Sequence, residues 1–223
     1  MKLLLDVHAT GAENMARDEA LLAAGSPVVR LYGWRPAAVS LGRSQGPEAI
    51  DAALAAQWGI DVVPRSTGGG AILHNEDEVT YSVVLPLDHP GLPRDIPGSF
   101  RYLSRGVALA LQRLGVPATF ETGDGGKEAL CYLRRQGTHV MVAGRKISGG
   151  AQRRTGTHVL QHGTVLVTRD VERMAALFRA PAADIEAKVV TLEDLGVRVA
   201  REKLVELVAE GFREAFGLPA WGP

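Results

Sequence analysis

Polar and apolar positions fall into short blocks with two different periods. "KLLLDV" is a brief apolar run that predicts a first strand. "NMARDEALLAAG" sets Met15, Ala16, Leu21 and Leu22 at helical spacing, with Asn14 read as the cap and Gly25 as the stop. "PVVRLYGW" and "AAVSLGR" are β-rich runs separated by "RP", and they predict adjacent strands. "GPEAIDAALAAQWG" carries Pro47 near a first helical position and Gly59 after the last, which predicts one helix. "IDVVPRS" reads as a strand. "TGGGAILHNEDEVTYSVVLP" reads as a glycine turn, a short strand, a polar turn and a long alternating strand.

The second half continues in the same way. The stretch from Leu87 to Gly98 is rich in Pro and Gly and reads as an irregular excursion, either a flap or a plain surface loop. "SFRYLSRGVALALQRLG" has a broad apolar face through Tyr102, Leu103, Val107, Leu109, Leu111 and Leu114, closed by Gly115. "VPATFET" is strand-like and "GDGGKEA" is loop. "THVMVAGRKISGGAQ" predicts a hairpin turning at "AGRK", and "THVLQHGTVLVT" a further strand. The remainder reads as mostly helical, with Leu204, Leu207, Val208 and Phe212 as the buried stripe of the last helix. Strands grouped in runs, without a βαβα rhythm, predict a single α+β domain over residues 1–223. Its sheet should be mixed and largely antiparallel, with a helical segment from about residue 170 packed on it.

Composition narrows the class. The chain has 223 residues, 46% hydrophobic and 22% charged, within the range of one globular domain. A formal net charge of zero gives no whole-molecule field toward nucleic acid or anionic membranes. The single cysteine, Cys131, excludes an internal disulfide framework and a multi-cysteine zinc site, and points to a reducing compartment. The N-terminal apolar run is too short for a signal peptide, and no stretch approaches the roughly 20 apolar residues of a membrane span. A cytoplasmic protein is the expectation.

Candidate chemistry sits in three places. "RSTGGGAILH" puts Gly68, Gly69 and Gly70 between two strands, where bare backbone lets amide N–H groups approach a ligand. Arg65, just before, is a candidate bidentate donor to a carbonyl or phosphate. The spacing is not that of a P-loop, and a simple flexible turn is an equal local reading. Lys146 follows a presumed turn; Gly149, Gly150 and Ala151 would leave room for a substrate beside it, while an exposed turn lysine is the plain alternative. Cys131 reads either as a small buried hydrophobe or as a nucleophile activated by Lys146 and the neighbouring Arg134 and Arg135. His162, in "LQHGT", reads as structural or pocket-shaping rather than as a general base. The six histidines show no zincin-type pairing, so no metal is expected.

The order of these pieces is more specific than any one of them. "NMARDEALL", "PAAVSLGRSQ", "VPRSTGGGAILHNEDEVTYSVV", "AGRKISGGAQRR" and "VLQHGTVLV" together resemble the biotin/lipoate protein ligase catalytic-domain family, from about residue 11 to about residue 180. The resemblance implies a fold like that of class II aminoacyl-tRNA synthetases and biotin synthetase, with an acyl chain held in a tunnel. It also implies binding or catalytic roles for Arg65, Gly68, Gly69, Gly70, His74, Lys146, Gly149, Gln152 and His162. Within the family the chain looks most like the cysteine-type octanoyltransferases, which carry "CF" ahead of the lysine of a "GRKI(A/S)GSAQ" stretch; here the pair is Cys131-Tyr132. Two departures are "YLRRQGTHVMV", without the usual Pro-Ser and Tyr-Glu features, and Asn75 where Asp is frequent after His74.

The implied reaction passes an octanoyl group from octanoyl-acyl carrier protein to Cys131. From there it goes to a lysine of a lipoyl domain of the 2-oxoacid dehydrogenases, or of the glycine-cleavage H protein. Lys146 assists, and the reaction needs no cofactor. Three alternatives stay open: an ATP- and magnesium-dependent lipoate–protein ligase, an amidotransferase moving octanoyl or lipoyl groups between proteins, and a non-catalytic acyl- or carrier-binding relative.

Overall fold

Alternation along the strands builds two covered faces on one sheet. The computed structural model of the chain describes residues 1–123 and 137–219. Its larger sheet joins β1 (Lys2–Ala9), β2 (Val28–Trp34), β6 (Val79–Pro86), β10 (His158–Val165), β9 (Arg145–Arg154), β8 (Gly137–Val142) and β7 (Thr119–Gly123), in that order. Only β1 and β2 run parallel; every other neighbouring pair is antiparallel. A smaller sheet sets β3 (Ala38–Leu41) between β4 (Asp61–Pro64), parallel to it, and β5 (Ile72–His74), antiparallel. The fold is α+β with a mixed, largely antiparallel sheet, as the blocks of strands and helices imply.

Period two sorts the side chains of β2 and β6. Val29, Leu31, Val79, Tyr81, Val83 and Leu85 enter the main core under α3 (Ile96–Arg113) and α6 (Arg201–Phe216), beside Leu103, Val107, Leu111, Leu204, Val208 and Phe212. The intervening Arg30, Tyr32, Trp34, Thr80 and Ser82 are also buried, on the opposite face, which carries α1 (Gly11–Ala24). One side of this sheet is therefore an apolar core and the other a buried polar layer. The two long helices cross at glycines: a Cβ on Gly211 would lie 2.1 Å from the Gly106 carbonyl oxygen. A second apolar cluster joins the small sheet to α2 (Ala52–Gln57), α4 (Val171–Phe178) and α5 (Ala182–Lys188), through Val39, Leu41, Ile72, Leu177 and Ile185.

Three local expectations change. β2 and β3 are neighbours in sequence but lie in different sheets, because β2 pairs with β1 and β6 while β3 pairs with β4 and β5. Asn14 is not the cap of α1. Thr10 is, in a capping box with Glu13, and Asn14 is buried one turn later. The predicted helix after Pro47 is divided: a 3₁₀ turn covers Pro47–Ala49, and Asp51 then caps the short α2 through the amide of Leu54. The hairpin at "AGRK" forms as expected, with Ala143 and Gly144 both at positive φ between β8 and β9.

Candidate active site

The polar layer beneath α1 converges on two histidines. On α1 the inward stripe is Gly11, Asn14, Met15, Asp18 and Leu22, so two polar side chains lie on a buried helix face. Arg30 of β2 satisfies both: its Nη2 donates to Asn14 Oδ1 at 2.7 Å and its Nη1 to Asp18 Oδ1 at 2.8 Å. Its Nε donates to Asp6 at 2.6 Å. Asp18 also accepts from Ser82 Oγ at 2.8 Å and Tyr32 OH at 3.0 Å, and its Oδ2 lies 3.3 Å from His162 Nδ1. Burial alone would raise this carboxyl; the hydrogen bond of His162, the Arg30 guanidinium and Ser82 outweigh it and hold Asp18 below the usual carboxylate value.

The glycine loop is fastened to this layer through Arg65. Its Nη2 donates to the carbonyl oxygens of Gly68 at 2.7 Å and Gly70 at 2.6 Å, its Nη1 to the Ser40 carbonyl at 2.6 Å, and its Nε to Thr67 Oγ1 at 3.1 Å. Thr67 Oγ1 in turn lies 2.7 Å from His162 Nε2. Arg65 is buried, and these donors go to the loop and to Ser40 of β3, so the side chain holds the loop against that strand. Gly69 sits at φ 90°, in the region glycine tolerates, and its carbonyl oxygen would be 2.0 Å from a Cβ on Gly42. A side chain at residue 42 would push the loop off the end of β3.

His74 closes the other side. Its Nε2 is 2.9 Å from Ser40 Oγ, its ring stacks on Trp34, and its Nδ1 lies 3.6 Å from Glu78 Oε2. Burial, helped by the charge of Arg65, holds His74 well below the ordinary imidazole value. Burial also pushes the Glu78 carboxyl well above its ordinary value, against the hydrogen bond from Thr164 and together with the charge of Asp77. Burial thus favours the neutral form of both groups.

Between the two sheets these residues enclose a narrow pocket. Met15, Tyr32, Trp34 and Ile72 form its apolar wall, and Ser40, His74, Thr80, His162 and Thr164 its polar wall. The pocket is small, with room for about one water molecule.

Lys146 is turned toward the same side of the sheet by an irregularity of register. Val140 pairs with Ser148 but Met141 pairs with Lys146, so β9 holds one extra residue at Ile147. An unbroken ladder would pair Lys146 with Val142, whose side chain is in the α3/α6 core. The bulge instead puts Lys146 in register with Met141, on the face shared by Gly149 and His162. Lys146 is 1% exposed, and its carbonyl accepts from the amide of Val190 at 3.0 Å. It is a buried strand residue, not an exposed turn lysine.

The expected site residues thus divide. Arg65, Gly68, Gly70 and His162 meet around Thr67; Gly69 belongs to the same loop, and His74 joins through Ser40. Lys146 and Gly149 share the face by register. Gln152 points to the opposite face: its amide donates to Gln161 Oε1 at 2.8 Å and to Ser99 Oγ of α3 at 3.1 Å. Cys131 lies outside the described residues. Five site residues were not picked out from the sequence: Asp18, Trp34, Ser40, Thr67 and Glu78. The available signal was polarity on the inward stripe of α1 at Asn14 and Asp18. Among the described residues no group of three or more His, Cys, Asp or Glu side chains is placed to hold a metal ion, and no helix is long and apolar enough to cross a membrane.

Residues 10–213 match the sequence profile of the lipoyl protein ligase A/B catalytic domain. The chain is similar to octanoyltransferase LipM of Kyrpidia tusciae, with 38% identity over 240 residues covering 97% of this chain and 87% of that protein. Its fold is similar to that of the bi-partite lipoate protein ligase of Thermoplasma acidophilum, solved in work on that enzyme and its E2 lipoyl domain. The TM-score is 0.79 at 25% identity, over 100% of this chain and 86% of that one. It is also similar to a lipoate-protein ligase A bound with ATP, with TM-score 0.79 and 27% identity over 97% and 85% of the two chains.

Proposed function

The chain belongs to the lipoyl protein ligase A/B catalytic-domain family, and from that membership we propose that it is an octanoyltransferase acting on a lysine of a lipoyl domain. The observation that carries this reading is the match along nearly the whole chain to an octanoyltransferase. The fold likeness to lipoate–protein ligases is compatible with it.

The donor in this proposal is octanoyl-acyl carrier protein. The Cys131 thiolate attacks the thioester carbonyl carbon; a new C–S bond forms, and the bond to the carrier thiol breaks, its thiolate leaving to take up a proton. The ε-amine of the target lysine then attacks the acyl-cysteine. A C–N bond forms, the C–S bond to Cys131 breaks, and the amine proton passes to the departing sulfur. The Lys146 ammonium favours the thiolate and a developing oxyanion. Thioester to thioester is near balance and thioester to amide runs downhill, so the reaction takes neither ATP nor a metal cofactor. The H protein of glycine cleavage is a further acceptor in this reading, and the cytoplasm its compartment.

A second reading, an ATP-dependent lipoate–protein ligase, draws on the fold likeness to the ATP-bound enzyme. Supplying octanoyl-acyl carrier protein and a lipoyl domain without nucleotide separates the two. Octanoylated lipoyl domain is expected; product that appears only when free acid, ATP and magnesium are supplied would favour the ligase.

A further inference from the structure

We propose that Asp18 and Thr67 are positioning residues for the transfer reaction: together they hold His162 in a single tautomer and tie the glycine loop to it. The proposal rests on the octanoyltransferase reading for its activity assay only.

The assignment follows from what each atom can donate. The Asp18 carboxylate accepts and cannot donate, and it already takes Arg30, Ser82 and Tyr32 as donors. The His162 nitrogen facing it, Nδ1, must therefore carry the ring proton. In a neutral imidazole this leaves Nε2 as an acceptor, and the atom 2.7 Å from it is Thr67 Oγ1, which must donate. The same hydroxyl oxygen accepts from Arg65 Nε at 3.1 Å. Arg65 then fixes the carbonyls of Gly68 and Gly70. One directed chain of hydrogen bonds thus runs from the glycine loop through Arg65, Thr67 and His162 to Asp18 on α1.

The side chains of Arg65, Thr67, His162 and Asp18 are all buried, so no bulk water can replace a lost partner among them. Reversing the tautomer would turn Nε2 into a donor. Thr67 Oγ1 would then face two donors, Arg65 and His162, and its own proton would need a new acceptor. The loop and the histidine that lines the pocket are set by one hydroxyl. Asp18 touches neither end of the pocket's occupant in this scheme; it acts through His162.

The test has one arm that needs no activity. In the full-length protein labelled with ¹⁵N-histidine, the ring nitrogens of His162 should report a protonated Nδ1 and a bare Nε2, and Asp18→Asn should reverse them. A wild-type ring protonated at Nε2 overturns the proposal. In the second arm, octanoyl transfer is measured for Thr67→Val and Thr67→Ser. Valine keeps the shape and removes the hydroxyl, and should lower kcat by about 10–100-fold, the scale of a misplaced reacting group, with KM within about threefold. Serine restores the hydroxyl and should return kcat to within about threefold of wild type. Equal kcat for valine and wild type, or equal losses for valine and serine, would also overturn it. A wild-type protein that transfers no octanoyl group would end the octanoyltransferase reading, while the ring-nitrogen measurement would still decide the hydrogen-bond chain.

Discussion

Trp34 lies flat on His74, with ring centroids 4.0 Å apart and planes 11° from parallel. The indole is fully buried, and its Nε1 donates to Thr80 Oγ1 at 2.8 Å, so the ring is pinned both across its face and at its edge. This pair joins the two sheets at the pocket wall. Trp34→Ala should cost about 3–5 kcal/mol in urea unfolding, as for other large aromatics removed from a core. Trp34→Phe keeps the stacking and loses one hydrogen bond, for about 1 kcal/mol. Similar costs for the two would mean that the stacked ring contributes little.

The buried His74 and Glu78 beneath that contact set opposite pH slopes. His74 in the folded chain refuses a proton that the unfolded chain accepts, so its contribution is lost as pH falls below 6.5, the ordinary imidazole value. Glu78 in the folded chain keeps a proton that the unfolded chain gives up, so its contribution is complete below 4.5 and is lost as pH rises through its raised value. Urea midpoints across pH should show His74→Gln flattening the acid-side loss, and Glu78→Gln flattening the decline on the alkaline side. Unchanged slopes in both variants would contradict the burial argument.

The crossing of α3 and α6 tolerates no methyl group. A Cβ on Gly106 would fall 2.4 Å from the Phe212 ring, and one on Gly211 would strike backbone. Gly211→Ala must force the helices apart and should lower stability by about 1–3 kcal/mol. The pocket lies on the other face of the sheet, so turnover by the folded fraction at low temperature should be unchanged. A matching loss of turnover in fully folded protein would show that the two faces are coupled.

Arg30 pairs with the buried Asp18 and the partly buried Asp6 through one side chain. Arg30→Met leaves the buried Asp18 without its guanidinium, while Asp6 keeps Arg17, and should cost about 3–5 kcal/mol. Arg30→Lys should recover only part of this, because a single ammonium cannot reach Asp6, Asp18 and Asn14 as the planar fork does. Chemical denaturation of the two variants side by side measures the difference. Full recovery by lysine would make charge alone responsible.

The fold class was legible because alternation and glycine punctuation are local. "VTYSVVLP" reads as a two-faced strand, and Gly25 and Gly144 take the positive φ their positions suggest. Partnership between strands was not legible. The separation of β2 from β3 depends on β1, β4, β5 and β6 competing as neighbours, which no local pattern records. The site was half legible. Arg65, the glycines, His74, Lys146 and His162 stand in recognisable runs, and the role of each run was inferred from resemblance. Asp18 and Thr67 act only through partners 144 and 95 residues away in sequence, respectively to and from His162. Glu78 looked like part of a solvated acidic turn, whereas its backbone carries it beneath Thr164. Gln152 was grouped with Lys146 through the resemblance, but strand alternation and the bulge at Ile147 send it to the α3 side.

Intact-mass spectrometry after mixing the protein with octanoyl-acyl carrier protein, in the absence of nucleotide, addresses the proposed chemistry most directly. A single octanoyl adduct that is lost on adding lipoyl domain, and never forms in Cys131→Ala, is the predicted result. Wild-type protein that stays unmodified while still octanoylating the lipoyl domain, or an adduct that persists in Cys131→Ala, would contradict a covalent relay through that sulfur.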